Sequence, residues 1–392
     1  MTTRPLLTKG FEVEIYTGRP DGTVVGCAAA AAADLAGFVT EPDNRNLEYT
    51  TPPEADYRRQ LELLLEPRQR LRQWLARRGL TLLPGSTLST GDSQRFERSN
   101  PANPYHGFIA QTYGTRVVTA SIHINLGMAA MEPLFAGLRL LRCEAALLLA
   151  MSASSPFLDG HSCGVHSQRW LQFPLTPPEV PLFESHAHFI RWMEEQLAAG
   201  TMLNVRHLWT SVRPNGDDRP HDLNRLDIRI CDLVSDPALL LAITAFAELR
   251  LQRLLADGPA QDPLVCSQLG AGALAALADA NDQAAARASL DAPLRHWRDG
   301  RRILARDWII QELDAMAPDA AALGLSRVLA PLHTLLLPLA DGGGNQAMRW
   351  LERLQAGDSV ATIIAREASA LERLETELSA WVVTDTSAAL LG

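Results

Sequence analysis

An α+β fold is what this 392-residue sequence predicts. Short segments before residue 237 alternate apolar and polar residues with the period of a strand, and the chain after it is filled by long Ala-, Leu- and Arg-rich stretches with helical spacing. No run of about 18 uncharged apolar residues suggests a membrane span. The expected organisation is a sheet-bearing region over 1–237, a helical region over 238–383 packed on the same domain, and a frayed tail over 384–392.

The first strand is Gly10 to Tyr16. Successive side chains of a strand point to opposite faces, so Phe11, Val13 and Ile15 share one face while Glu12 and Glu14 share the other. Cys27 to Leu35 is alanine-rich and reads as a helix. Asn46 to Thr50 alternates again, grouping Asn46, Glu48 and Thr50, and Pro52-Pro53 stop it. From Ala55 to Gly79 the spacing of Tyr57, Leu61, Leu64, Leu65, Leu71 and Leu75 suits an amphipathic helix, with Pro67 as a kink or boundary and Gly79 as its C-cap. Pro84 to Tyr113 has the Gly, Ser, Asn and Pro density of a long loop, and such a loop usually has a function.

The third strand is expected over Val117 to Leu126, setting Ser121, His123 and Asn125 opposite Ile122, Ile124 and Leu126. Glu132 to Met151, with Pro133 in its first turn, reads as a buried helix whose Arg142 and Glu144 need partners. A small-residue loop over Ser152 to Gly160 leads to Gln168-Arg169-Trp170, and Pro181 to Gly200 looks helical. Asn204 to Arg213 is the fourth strand, turning at Pro214-Asn215-Gly216. Arg225 to Cys231 is the fifth, with Asp227 and Arg229 on one face. Helices are expected over 238–257, 267–290, 303–315, 322–340 and 345–381.

Composition sets the outer bounds. With 47% hydrophobic and 21% charged residues the chain is of the soluble globular class, and a formal net charge of -9 argues against a general nucleic-acid surface. Five cysteines without a CxxC pair suit reduced thiols, and the N-terminus has no signal-peptide run, so a cytoplasmic protein with no membrane or nucleic-acid partner is expected.

Collected from these strands, one polar surface presents Glu12, Glu14, Glu48, His123 and Asp227, with Asn125 and Arg229 beside them. A single such strand reads equally well as a solvated face; the repetition points to a surface built to hold ions. Carboxylates with one imidazole suit hard divalent cations, Mg²⁺ or Mn²⁺, shared with substrate phosphate. The one zinc-like spacing, His161-x-Cys163-x-x-His166, is a weaker candidate. Arg229 could stabilise charge on a transferring phosphoryl group, or form an ordinary pair with Asp227. Phosphate-binding glycine loops are absent, so ATP would have to bind through metal ions on the sheet.

The segments GFEVE, NLEYTTP, HINLG, SASSPFLDG, QRW, SVRPNG and DIRICD come in the order seen in glutamate–cysteine ligases of the carboxylate–amine ligase (GCS2) family, and their wording is most similar to the cyanobacterial type. The resemblance covers roughly residues 8 to 237. It implies a glutamine-synthetase-like fold, a curved antiparallel sheet flanked by helices. It also implies ATP-dependent joining of the L-glutamate side chain to the amine of L-cysteine, giving γ-glutamylcysteine for glutathione biosynthesis. By resemblance Glu12, Glu14, Glu48 and His123 match the metal ligands, and Asp227 stands where many members carry Glu, which keeps the charge but shortens the reach. Arg229 matches the Arg near the γ-phosphate, so Arg229 and Asp227 are the catalytic candidates. Arg169 and Arg213 are candidates for gripping substrate carboxylates, and Asn125 for a polar contact beside the metals. The same pattern leaves open a ligase for another amine, or a non-catalytic amino-acid or nucleotide sensor.

Overall fold

The computed structural model describes residues 5–384, so the tail expected to fray lies, beyond Thr384, outside the described residues. Its centre is β1 (Lys9–Gly18), followed by α1 (Ala28–Asp34), β2 (Phe38–Thr40), β3 (Asn46–Thr50), α2 (Tyr57–Ala76) and β4 (Thr81–Leu83). Then come α3 (Pro104–Tyr113), β5 (Ile122–Gly127), α4 (Met131–Ser152), a small hairpin of β6 (Phe157–Leu158) and β7 (His161–Ser162), α5 (Gln168–Gln172), α6 (His186–Ala198), β8 (Val212–Asn215) and β9 (Arg225–Ile228). The remainder is α7 (Pro237–Asp257), α8 (Pro263–Cys266), α9 (Ala271–Ala288), a hairpin of β10 (Pro293–Arg295) and β11 (Arg302–Leu304), α10 (Ala305–Ala322), α11 (Ala330–Leu336), α12 (Gln346–Gln355) and α13 (Val360–Thr384).

Seven strands form one sheet in the order β2-β3-β1-β5-β9-β8, with β4 also paired to β1. Every pairing is antiparallel. The apolar face consists of Phe11, Val13, Ile15, Ile122, Ile124, Leu126, Leu226 and Ile228, all buried. Against β8 and β9 packs α4, with α7 and α9 along it.

Of the 22 residues of α4, 18 are buried, which is the pattern of a helix enclosed on all sides. Each fully buried leucine there contributes roughly 1.5–3 kcal/mol. A Cβ on Gly137 would meet Leu251 Cδ2 at 2.8 Å, so glycine is what lets α7 approach this closely. The buried charges are partnered: Glu144 accepts from Arg250 Nη2 at 2.7 Å and Nε at 2.8 Å and from Trp297 Nε1 at 3.0 Å, and Arg142 donates to Asp279 at 2.9 Å and Thr210 at 2.6 Å. These bonds fasten the helical region to the sheet-bearing one. Among the described residues no helix is long and apolar enough to cross a membrane.

Several boundaries differ from the sequence expectation. The segment 84–113 is not loop throughout: Asn103 caps α3 through Tyr105 N at 2.9 Å, and Pro104 opens the helix. The fourth strand is displaced, because Asn204 caps a 3-10 turn over Val205–His207 and pairing starts only at Val212. Pro214 is tolerated in β8 because that strand is the sheet edge. The third strand begins at Ile122 rather than Val117, after a 3-10 turn over Gly114–Val117. The expected helix over 345–381 is two, broken where Gly357 adopts φ +102°. Pro67 does not end α2, which runs through it. The strands β2, β4, β10 and β11, three residues each, fall below the length at which alternation is legible.

One buried charge is poorly served. Asp282 of α9 is buried with Oδ1 unpartnered, and burial, with Asp279 adding to it against Arg142, pushes its carboxyl well above the ordinary value. A raised folded pKa means stability present below the unfolded value of about 3.9 and lost as pH climbs toward the folded one. Asp282→Asn should therefore raise the melting temperature at about pH 8 and leave it nearly unchanged at about pH 4, the difference corresponding to roughly 1–3 kcal/mol. Equal effects at both pH values in thermal melts would refute this.

Candidate active site

Register builds the site. Glu12 lies opposite His123, Glu14 opposite Glu48, Asn125 opposite Asp227, and Arg213 opposite Asp227. Residues facing each other across an antiparallel pair share one face at close range. Five strands thus lay their polar side chains into one patch whose reverse is the apolar core.

The carboxylates fall into two groups. Glu12, His123 and Asp227 each offer a ligand atom within 4.8 Å of the others, and so do Glu14, Glu41 and Glu48. In the first group His123 Nδ1 lies 2.5 Å from Glu12 Oε2 and 3.1 Å from Arg229 Nη1, and Asn125 Nδ2 donates to Glu12 Oε1 at 3.2 Å. Burial opposes ionisation of Glu12, yet the fields of His123, Arg229 and Arg213 outweigh it and hold the carboxyl well below the carboxylate range. Asp227 is fully buried; its Oδ2 accepts from Arg213 Nε at 2.8 Å and lies 3.5 Å from Arg229 Nη1, while Oδ1 has no partner among the described residues. The shorter Asp side chain therefore does reach the group.

In the second group Ser121 Oγ donates to Glu14 Oε2 at 2.8 Å. Burial first, then Glu41 and Glu14, pushes the Glu48 carboxyl far up, and burial with Glu14 raises Glu41 as well. Three carboxyls this close without a cation hold a proton between them. Together with the orphaned Asp227 Oδ1, this donor set of carboxylate oxygens and one imidazole fits hard divalent cations such as Mg²⁺ or Mn²⁺.

The arginines divide by task. Arg229 Nη1 reaches both His123 and Asp227, and the carboxylates around it raise its pKa against the effect of burial. Arg213 donates through Nη1 to the carbonyls of Arg206 and Leu208 at 3.0 and 2.9 Å; burial, then the charge of Arg229, lowers its pKa to about 9. Arg169 is directed elsewhere: Nη1 donates to Ile230 O at 3.0 Å and Nη2 to Arg229 O at 2.8 Å, which fixes the backbone that carries Arg229. Behind it stands Asp232, which accepts from Ser154 N at 2.9 Å, Ser155 Oγ at 2.7 Å and Ser167 Oγ at 2.8 Å. Ser167 caps α5, so this buried aspartate sets the helix that bears Arg169.

A cleft of about 500 Å³ opens beside Glu12, lined among others by Gly10, Thr51, Asn125, Asp217 and Arg225. Arg225 Nε donates to Asn125 Oδ1 at 3.2 Å. Burial first, then the charge of Glu41, raises the pKa of Tyr105 of α3. Glu41, Asp232 and Arg225 are the members that sequence reasoning missed. Glu41 directly follows β2, and a strand reading of Phe38-Val39-Thr40 would have brought it to the sheet edge beside Glu48.

An antiparallel sheet of this topology with helices packed on its apolar face is an α+β fold of the glutamine-synthetase-like class. The solved structures it matches include a bifunctional glutathione synthetase from Pasteurella multocida, with a TM-score of 0.72 at 15% identity over 96% of this chain and 54% of that one. Another is a glutamate–cysteine ligase from Francisella tularensis in complex with AMP, with a TM-score of 0.63 at 12% identity over 98% and 94%. The model of glutamate-cysteine ligase family 2 (GCS2) matches residues 8–368, and the chain belongs to that family. Relatives provisionally named glutamate–cysteine ligase 2 include one from Nocardia farcinica, 28% identical over 65% of this chain and 64% of that protein, and one from Frankia alni, 26% identical over 88% and 79%. A third, from Pseudomonas paraeruginosa, is 28% identical over 77% and 76%. The chain thus spans just under two thirds of the Nocardia relative and about half of the Pasteurella chain.

Proposed function

We propose that the protein is an ATP-dependent carboxylate–amine ligase of the cytoplasm that joins the side-chain carboxylate of L-glutamate to the amine of L-cysteine, giving γ-glutamylcysteine for glutathione biosynthesis. The observation that carries this reading is the pair of carboxylate groups on one sheet face with the Arg229 guanidinium against the first of them. Glu12, His123 and Asp227, and separately Glu14, Glu41 and Glu48, are the residues that would hold Mg²⁺ or Mn²⁺. Such ions, when bound, supply neutralisation of the triphosphate and alignment of its γ-phosphoryl group.

The protein's own groups do the rest. Arg229 faces the charge that develops as the phosphoryl group passes from ATP to a glutamate carboxylate oxygen, releasing ADP and leaving γ-glutamyl phosphate. A free carboxylate acylates amines poorly, and phosphorylation provides the leaving group. The cysteine amine then adds to the carbonyl carbon, losing a proton, and inorganic phosphate departs. Asn125 and Arg225, at the cleft beside Glu12, are assigned to bind amino-acid substrate, and Arg213 holds Asp227 in place through Nε while its Nη2 has no partner among the described residues. Arg169 acts by holding Arg229.

Water would hydrolyse the acyl phosphate, so the site must close over it. The segment 84–113, ending in α3, and the 152–164 stretch are the covers this reading assigns. Limited proteolysis within 84–103 should slow at least severalfold when ATP, Mg²⁺ and glutamate are present together; unchanged cleavage would remove the lid from the scheme.

The deciding experiment is phosphate release from ATP and Mg²⁺ with glutamate, with and without cysteine, alongside mass detection of product. Cysteine-dependent turnover with the γ-glutamylcysteine mass supports the reading. Release that needs glutamate but ignores cysteine keeps the acyl phosphate and moves the acceptor to another amine. No turnover with any amine leaves a non-catalytic amino-acid or nucleotide sensor on the same fold.

A further inference from the structure

A second cleft, of about 250 Å³, lies where the end of α4 and the start of α7 meet α11 and α12. It shares no residue with the carboxylate groups or with the cleft beside Glu12. That volume has room for a molecule the size of a free amino acid.

Its lining has three chemical parts. Met151, Leu239, Pro331 and Leu335 give an apolar wall. Arg349 gives a cation: its Nη1 donates to Gly344 O, and among the described residues no carboxylate pairs with it. Asp236 gives an anion, which caps α7 through Ala238 N at 2.8 Å and has no cationic partner at ion-pair distance. The two charges lie within each other's field without touching, Arg349 also within that of Glu367 and Asp236 within that of Arg68. Ser235 Oγ and Gln346 Nε2, also of the lining residues, are buried with no hydrogen-bond partner. Buried polar atoms are ordinarily satisfied, so two orphans behind one cleft wall set this place apart from the ordinary interior.

We infer that this cleft is a binding site for a free α-amino acid with an apolar side chain, its carboxylate on Arg349, its ammonium on Asp236 and its side chain against Leu239, Pro331 and Leu335. A fatty acid would bring no cation to Asp236 and an alkylamine no anion to Arg349, whereas a zwitterion answers both. Glutamate is a poor fit, because its second carboxylate would face the apolar wall.

Calorimetric titration of the full chain with L-leucine and L-methionine tests the site, with 4-methylpentanoate and 3-methylbutylamine as probes lacking one charge each. Saturable binding of at least one amino acid is expected, weakened at least about tenfold in Arg349→Gln, in Asp236→Asn and for both truncated probes, since one hydrogen bond to a charged group contributes about 1.4 kcal/mol or more. Asn caps a helix as well as Asp, so Asp236→Asn keeps α7 intact. The same titration in Glu12→Gln should be unchanged. No binding at millimolar concentration, binding that survives both cleft substitutions, or binding lost in Glu12→Gln would each overturn the assignment. None of these readouts depends on ATP turnover, so the ligase reading stands or falls separately.

Discussion

Glu12→Gln is expected to lower glutamate-dependent phosphate release by at least about a hundredfold while the protein remains folded. Loss of a residue one shell beyond a metal costs 10- to 100-fold, so loss of a direct ligand belongs at or beyond the upper end. Gln keeps the shape and still accepts from Asn125, whose Nδ2 lies 3.2 Å from Oε1, so packing is undisturbed. What it removes is the charge that, with Asp227, makes the first group attractive to a divalent ion. The like-charge crowding on the face also eases: Glu12 is among the carboxylates that push Glu48 upward. His123, Arg229 and Arg213 nonetheless favour the Glu12 charge more than that crowding opposes it, so the metal-free melting temperature should fall modestly at neutral pH as activity falls. Turnover, Mn²⁺ titration and thermal melts on the same preparation check the three parts. Activity within tenfold of the parent would remove Glu12 from the metal site and weaken the ligase reading with it.

The contents of the polar face were legible in the sequence because alternation is a local property. Glu12, Glu14, Glu48, His123, Asn125 and Asp227 each sit opposite an apolar neighbour in a run of four or more residues, and the face follows from the pleat alone. Their division into two groups was not legible. That depends on register, Glu12 against His123 and Glu14 against Glu48, which is fixed by the loops and by which strands become neighbours. Glu41 was lost for a related reason: it follows a three-residue edge strand, too short to show a period. Arg169 illustrates a different limit. Its presence in QRW marked it as a candidate for substrate, but only the tertiary structure turns its guanidinium toward the carbonyls of Arg229 and Ile230. Alternation sets Cys231 on the face of Asp227 and Arg229, where an inert buried thiol is a better reading than an oxidant sensor; it is fully buried, and burial pushes its thiol up to about 12. In the helical half, periodicity found the helices but not their breaks, since Gly357 and the 323–329 turn interrupt stretches whose apolar spacing continues on either side.

Asp232→Ala should be the most destabilising single substitution around the site and should also disable it. The Asp232 carboxylate is completely buried and accepts one backbone N–H and two hydroxyls, with Arg169 Nη1 3.9 Å away. Alanine leaves these donors unpaired in the interior and Arg169 without its nearest counter-charge. Removing one member of a buried charged set costs about 3–5 kcal/mol. The consequence for chemistry runs through position. Ser155 Oγ accepts from Arg169 N at 3.1 Å and Ser167 caps α5, so the loosened loop releases Arg169, and with it the carbonyls that fix Arg229. A displacement of about 1 Å at a group that must meet the transferring phosphoryl is enough for a loss of about a hundredfold. Asp232→Asn separates the two effects, because one carbonyl oxygen still accepts while the charge facing Arg169 is gone. Well below its melting temperature this variant should stay folded, bind ATP with little change in KM, and show a kcat reduced at least about tenfold, since Arg229 acts on developing rather than ground-state charge. A kcat equal to the parent's in a folded Asp232→Asn protein would show that Arg169 and Asp232 serve the fold alone, and that Arg229 is held by its own contacts to Asp227 and His123.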